Sequence, residues 1–184
     1  PSGSFKDRGM VLAIAKVLEA GLDKAICAST GNTSASAAAY SAYCDISLTV
    51  LIPRGTLTDN KLTQLLSHGA RVIQIDANFD TTLELCRLIS GKHSLSILNS
   101  VNTSRLEGQK TAAFEIAEDL KGAPDFVYLP VGNAGNISAY WMGFNEAYRL
   151  GWITSRPSMI GLQAIGADPI VVGRPIDNPE TIAT

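Results

Sequence analysis

Apolar residues fall at Met10, Val11, Ile14, Val17 and Leu18, the three-to-four spacing of one helix face, and the run closes at Gly21. The next apolar stretch, 25–28, is too short for a helix and reads as a buried strand. The alternation then repeats. It predicts helices over 33–44, 57–68, 80–90, 104–121 and 137–150, and strands over 46–52, 71–75, 95–98, 126–131 and 159–163. Gly69, Gly91 and Gly122 stand where the helices 57–68, 80–90 and 104–121 should stop, and Ser104 with Glu107 three residues on has the spacing of a capping box. The stretch 173–179 reads as loop, with the start of another helix expected at 179–181.

Short strands rich in Val, Ile and Leu, each followed by a helix, imply parallel strands joined by crossovers and covered on both faces. The fold class expected is therefore α/β, with two parallel-sheet units. One internal echo supports the pair: 28–33 and 129–136 both set a Gly-Asn turn between a strand and a helix of small residues, which suggests two α/β units facing one site. The domains expected are 1–98 and 99–184, the second incomplete.

The composition, 46% hydrophobic over 184 residues, is ample for a buried core. Fifteen Lys and Arg against 17 Asp and Glu leave a formal charge of -2, too little for a field that would hold nucleic acid or an anionic membrane. No apolar run approaches the roughly 18–20 residues of a membrane span. Three cysteines, Cys27, Cys44 and Cys86, without paired metal spacing fit reduced thiols in a cytoplasmic protein, and two histidines argue against a multi-histidine metal site. A start on Pro1, with a motif inside the first nine residues, leads us to expect a fragment.

Gly132, Asn133, Ala134, Gly135 and Asn136 lie between a strand and a helix, so backbone N–H groups and the helix dipole can converge on an anion such as phosphate; a tight turn without a ligand is the alternative. Lys6, at the start of the first helix, meets a dipole that disfavours its ammonium form and so favours a nucleophilic, Schiff-base-forming amine. A solvated helix end is the plainer reading of a Lys beside Asp7 and Arg8. The run 29–34 offers hydroxyls, an amide and a helix start suited to a carboxylate, a phosphate or a phenolic oxygen, although the small residues that follow also suit close helix packing. Asn99, Ser100 and Arg105 cluster after a strand, and Arg105 can clamp a second phosphate or simply lie on the surface.

Taken in order, Pro1-Ser2-Gly3-Ser4-Phe5-Lys6-Asp7-Arg8-Gly9, the run 28–39, Asn99-Ser100-Val101-Asn102 with Arg105-Leu106-Glu107-Gly108-Gln109-Lys110-Thr111, and 130–136 resemble the threonine synthase family over essentially the whole chain. The resemblance implies the tryptophan-synthase-β-like architecture of fold-type-II pyridoxal 5'-phosphate (PLP) enzymes and the conversion of O-phospho-L-homoserine and water to L-threonine and phosphate. It makes Lys6 the Schiff-base lysine and catalytic residue, Asn32 the partner of the cofactor's 3'-oxygen, and Gly132, Asn133, Ala134, Gly135 and Asn136 the cradle of its phosphate. It assigns Thr33, Ser100 and Arg105 to the substrate phosphate, and Ser29 and Thr30 to the substrate carboxylate. It places the hydroxyl partner of the pyridine nitrogen in a segment outside this sequence, while the run 56–61 departs from the family pattern with Lys61 keeping its place. The partners expected are the small-molecule substrate and a second copy in a homodimer, with neither nucleic acid nor membrane. A PLP-dependent serine or threonine dehydratase and a non-catalytic phosphometabolite-binding module are the rival readings, and Arg105 with Ser100 discriminates against the first.

Overall fold

The computed structural model describes residues 1–56 and 58–176, so Leu57, the end of the 173–179 loop and the helix start expected at 179–181 lie outside the described residues. The chain divides into two compact units, Pro1–Gly108 and Gln109–Thr184.

The first unit holds helices α1 (Lys6–Glu19), α2 (Asn32–Tyr43), α3 (Asp59–Ser67), α4 (Phe79–Lys92) and α5 (Ser104–Gln109, reaching one residue past the unit), with strands β1 (Lys24–Ala28), β2 (Ser47–Pro53), β3 (Arg71–Ile75) and β4 (Ser96–Ile97). The strands form one parallel sheet in the order β3-β2-β1-β4, with Ile26 of β1 opposite Thr49 of β2 and Ile97 of β4. Successive side chains of a strand point to opposite faces, and the two packed clusters follow that rule. Ala25, Cys27, Val50 and Ile52 pack with Met10, Ile14 and Val17 of α1, Ala37 and Ala38 of α2 and Leu65 of α3. Ile26, Ala28 and Leu51 pack on the other face with Cys86 of α4. The sheet is covered on both faces, as the unbroken apolar runs require.

Residues 99–108, grouped with the second domain in the sequence reading, are held in the first unit by long-range contacts. Asn99 is hydrogen-bonded to Ala28, and a Cβ on Gly108 would stand 2.0 Å from the carbonyl oxygen of Arg8. The chain therefore passes α1 with only a glycine's clearance.

The second unit contains α6 (Thr111–Leu120), α7 (Gly135–Arg149) and α8 (Pro169–Val172), with β5 (Phe126–Pro130) paired in parallel to β6 (Ser158–Leu162). Ala113 and Ala117 of α6, Phe144 and Ala147 of α7, Val127 and Ile153 form its core. Gly143 lets α7 approach α6 closely, because a Cβ there would lie 2.4 Å from Lys110 O and 2.7 Å from Ala113 Cβ. Phe126 and Tyr128 of β5 are exposed among the described residues.

Several boundaries differ from the sequence reading. The single helix expected over 104–121 is two, broken at Lys110. Ser104 lies inside α5 and gives its N–H to Asn102 Oδ1 at 3.0 Å. Lys121, not Gly122, takes the left-handed turn that ends α6, at φ 52°. Helix α4 runs through Gly91 to Lys92, and α8 occupies a stretch for which no helix was expected. No helix among the described residues is long and apolar enough to cross a membrane.

Candidate active site

In the first unit, Lys6 opens α1 and is half-buried, with Nζ 4.1 Å from the centroid of the Phe5 ring. Burial, and then the nearby Arg105 guanidinium, hold its amine below the ordinary lysine pKa. Both effects favour the neutral, nucleophilic form. Asp7 faces α2 and accepts from Ser2 Oγ at 2.5 Å, Ser36 Oγ at 2.6 Å and Ser2 N–H at 3.0 Å. Lys6 and Asp7, adjacent in the sequence, thus do separate work.

The turn after β1 is built around Ser29, whose Oγ accepts the N–H groups of Gly31 at 3.2 Å and Ser34 at 3.3 Å, while Ser34 Oγ donates to Gly31 O at 2.8 Å. This leaves the hydroxyl proton of Ser29 free to be donated. Asn32, exposed, and Thr33, half-buried, open α2; Thr30 is half-buried beside them. Lys61, which keeps its place in the otherwise divergent run 56–61, brings its Nζ to 3.9 Å from where a Cβ on Gly31 would stand, a cation above the turn. The sequence named the residue but not its neighbour, because the contact joins elements far apart in the chain.

Arg105 is not a surface residue. It is 2% exposed, its Nη1 donates to Leu98 O at 3.2 Å, and its Nε is buried without a hydrogen-bond partner. No carboxylate among the described residues pairs with it. Burial pushes its pKa down. A buried guanidinium carrying an unsatisfied donor has the chemistry to take up an anion. Ser100, exposed, stands on the same connection.

In the second unit the loop after β5 begins where Val131 N–H pairs with Leu162 O at 2.8 Å. Asn133 Oδ1 accepts the Gly135 N–H at 3.2 Å, and Ala134 takes the left-handed conformation, φ 60°, ψ 0°. The N–H groups of Asn136 and Ile137, in the first turn of α7, have no acceptor within the helix. Asn136 Oδ1 is buried without a partner, and open space faces Gly132, where a Cβ would meet nothing within 4 Å. The loop thus presents fixed donors and a helix N-terminus to an anion. Ser29, Thr30, Asn32, Thr33, Lys6, Ser100 and Arg105 belong to the first unit, and 132–136 to the second.

A family model for pyridoxal-phosphate dependent enzymes matches residues 1–184. The threonine synthase of Mycobacterium tuberculosis is 56% identical over 185 residues, a match covering 100% of this chain and 51% of that protein. That of Synechocystis sp. is 54% identical over 184 residues, covering 100% and 48%. The chain spans about half the length of these curated relatives. Among solved structures, a fungal L-serine ammonia-lyase from Rhizomucor miehei superposes with a TM-score of 0.86 at 21% identity, over 100% of this chain and 59% of that one. Maize serine racemase gives 0.80 at 22%, over 98% and 54%. At those identities the structures attest the fold, and the family model covers the whole chain. The chain belongs to the pyridoxal-phosphate dependent enzyme family.

Proposed function

We propose that this chain is part of a threonine synthase, which turns O-phospho-L-homoserine and water into L-threonine and phosphate. The observation that carries this reading is Arg105, a buried guanidinium with an unsatisfied Nε and no carboxylate partner among the described residues, in the same unit as a lysine amine held toward neutrality. A substrate that brings a phosphate of its own supplies the missing anion.

The residues suit pyridoxal phosphate: open space faces Gly132, and the first-turn N–H groups of α7, which have no acceptor within the helix, are the donors a phosphate needs. In this reading Lys6 would hold the cofactor at its aldehyde carbon, Asn32 would meet its 3'-oxygen, and Gly132, Asn133, Ala134, Gly135 and Asn136 would hold its phosphate. The cofactor, when bound, supplies a ring that delocalises the electron pair left by proton removal beside an amine. Lys6, as a free amine, would take protons from the substrate's α and β carbons, return one to the α carbon and deliver one to the γ carbon that phosphate leaves. Thr33, Ser100 and Arg105 hold the substrate phosphate, which departs from the γ carbon, while water adds at the β carbon. Ser29 and Thr30 hold the carboxylate. A homodimer and a cytoplasmic location complete the proposal, the second supported by three unpaired thiols.

The test uses the full-length protein with added pyridoxal phosphate. Threonine and inorganic phosphate formed in equal amounts from O-phospho-L-homoserine are the expected outcome. Release of 2-oxo acid and ammonia from serine or threonine, with the phosphorylated substrate untouched, would make it a dehydratase. A protein that gives no visible absorbance band with the cofactor would be a binding module. Sedimentation and cell fractionation test the dimer and the location.

A further inference from the structure

Asn99 follows β4, is 5% exposed, and makes two hydrogen bonds to one residue. Its Nδ2 donates to Ala28 O at 2.6 Å and its Oδ1 accepts the Ala28 N–H at 2.8 Å. The regular ladder beside it has just ended, with Leu98 N–H on Ile26 O at 2.9 Å. A backbone could satisfy Ala28 only by remaining extended through 99 and beyond. A primary amide offers the same donor and acceptor from a side chain, which frees the main chain to turn at once. It does turn: Asn102 N–H returns to Asn99 O at 2.9 Å. Ser29 comes directly after Ala28, and Ser100 directly after Asn99. One buried side chain therefore ties the two segments, 29–33 and 100–105, that supply all the substrate-holding residues proposed above.

We propose that Asn99 is a positioning residue, which fixes the carboxylate-holding segment 29–33 against the phosphate-holding segment 100–105 and so sets the span of substrate that fits. This rests on the functional reading above, because it takes its two segments from there. Removing the amide leaves both backbone groups of the fully buried Ala28 unsatisfied and lets the two segments move apart.

The test compares Asn99→Ala and Asn99→Ser with wild type in the full-length holoenzyme. The serine hydroxyl can satisfy one of the two Ala28 groups but cannot bridge both. We expect KM for O-phospho-L-homoserine and the inhibition constant of inorganic phosphate to rise together, on the order of tenfold for loss of such hydrogen bonds. The serine variant should fall between alanine and wild type. The turnover number and the visible absorbance of bound cofactor should stay close to wild type. Amide hydrogen exchange, which needs no turnover, should speed up together in 29–34 and 100–105 while β3 is unaffected. Unchanged KM and exchange in both variants would overturn the proposal. So would uniform loss of protection across the unit, or failure of both variants to fold, since Asn99 would then serve general stability. If wild type neither binds inorganic phosphate nor forms threonine, the functional reading fails, and the exchange pattern still decides whether Asn99 couples the two segments.

Discussion

Asp7 of α1 accepts a hydrogen bond from Ser36 of α2 at 2.6 Å, and this bond ties the first turn carrying Lys6 to the helix carrying Asn32 and Thr33. Burial by itself would raise the carboxyl's pKa. The hydrogen bonds from Ser2 and Ser36 outweigh it and hold Asp7 below the usual carboxylate range. A carboxyl depressed in the folded state stabilises the fold above its unfolded pKa. That contribution is lost as the pH falls from about 4 toward about 2. Asp7→Asn should therefore flatten the acid limb of stability by on the order of 1 kcal/mol once solvent screening is allowed for. Urea titrations across that range measure it; an unchanged acid limb would show that the carboxylate is not linked to folding.

Lys6→Met should abolish threonine formation and the visible cofactor band in the full-length protein, yet leave the fold slightly more stable at neutral pH. The sign follows from burial, which lowers the amine's pKa in the folded state, so that folding works against its protonation. An isosteric apolar chain removes that opposition. Thermal denaturation beside activity decides it, and a less stable variant would mean the amine is held by contacts that favour its charge.

Arg105→Met should weaken phosphorylated substrate by about 2–3 kcal/mol, the range of a charge-assisted hydrogen bond, with cofactor affinity little altered. Stability should hold or rise, because a buried cation without a carboxylate partner costs more to desolvate than a methionine of similar reach. Calorimetric titration with inorganic phosphate reads the first effect. Loss of cofactor rather than substrate affinity would assign the guanidinium to the other phosphate.

Gly108→Ala should be among the most damaging single-methyl additions in the first unit. The new carbon would stand 2.0 Å from Arg8 O and 3.0 Å from Gly9 Cα, both backbone atoms with no rotamer to yield. Displacing α5 from α1 should cost at least about 3 kcal/mol in a urea titration, the upper range for overpacking.

The sequence displayed its helices and central strands plainly, because α1 carries a periodicity and β2 an unbroken apolar run, each of which burial demands. Breaks that depend on distant atoms were hidden. The pattern from Ser104 to Leu120 is continuous in local propensity, yet the helix divides at Lys110, with Gly108 before the break set against Arg8. Strand β4 is only two residues long because the side chain of Asn99 takes over its pairing, an exchange no window of residues reveals. At the candidate site the residue types could be read in order. The Asp7–Ser36 bond, the Lys61 amine above Gly31 and the depth of Arg105 all join segments 29 or more residues apart or depend on such packing, so they emerge only from the fold.

The loop 132–136 contains no Lys or Arg, and Ala134 holds a left-handed backbone that disfavours a non-glycine residue by roughly 1–2 kcal/mol. That strain is met during folding, so the turn's shape is settled before any anion arrives. An anion gripped by fixed peptide dipoles feels added electrolyte differently from one held by exposed, mobile cations. Surface pairs separated by more than about 8 Å fade at physiological ionic strength, whereas contacts with rigid N–H groups at hydrogen-bond distance are barely screened. In the reading proposed above, the grip of the loop 132–136 on phosphate should therefore persist as salt is raised.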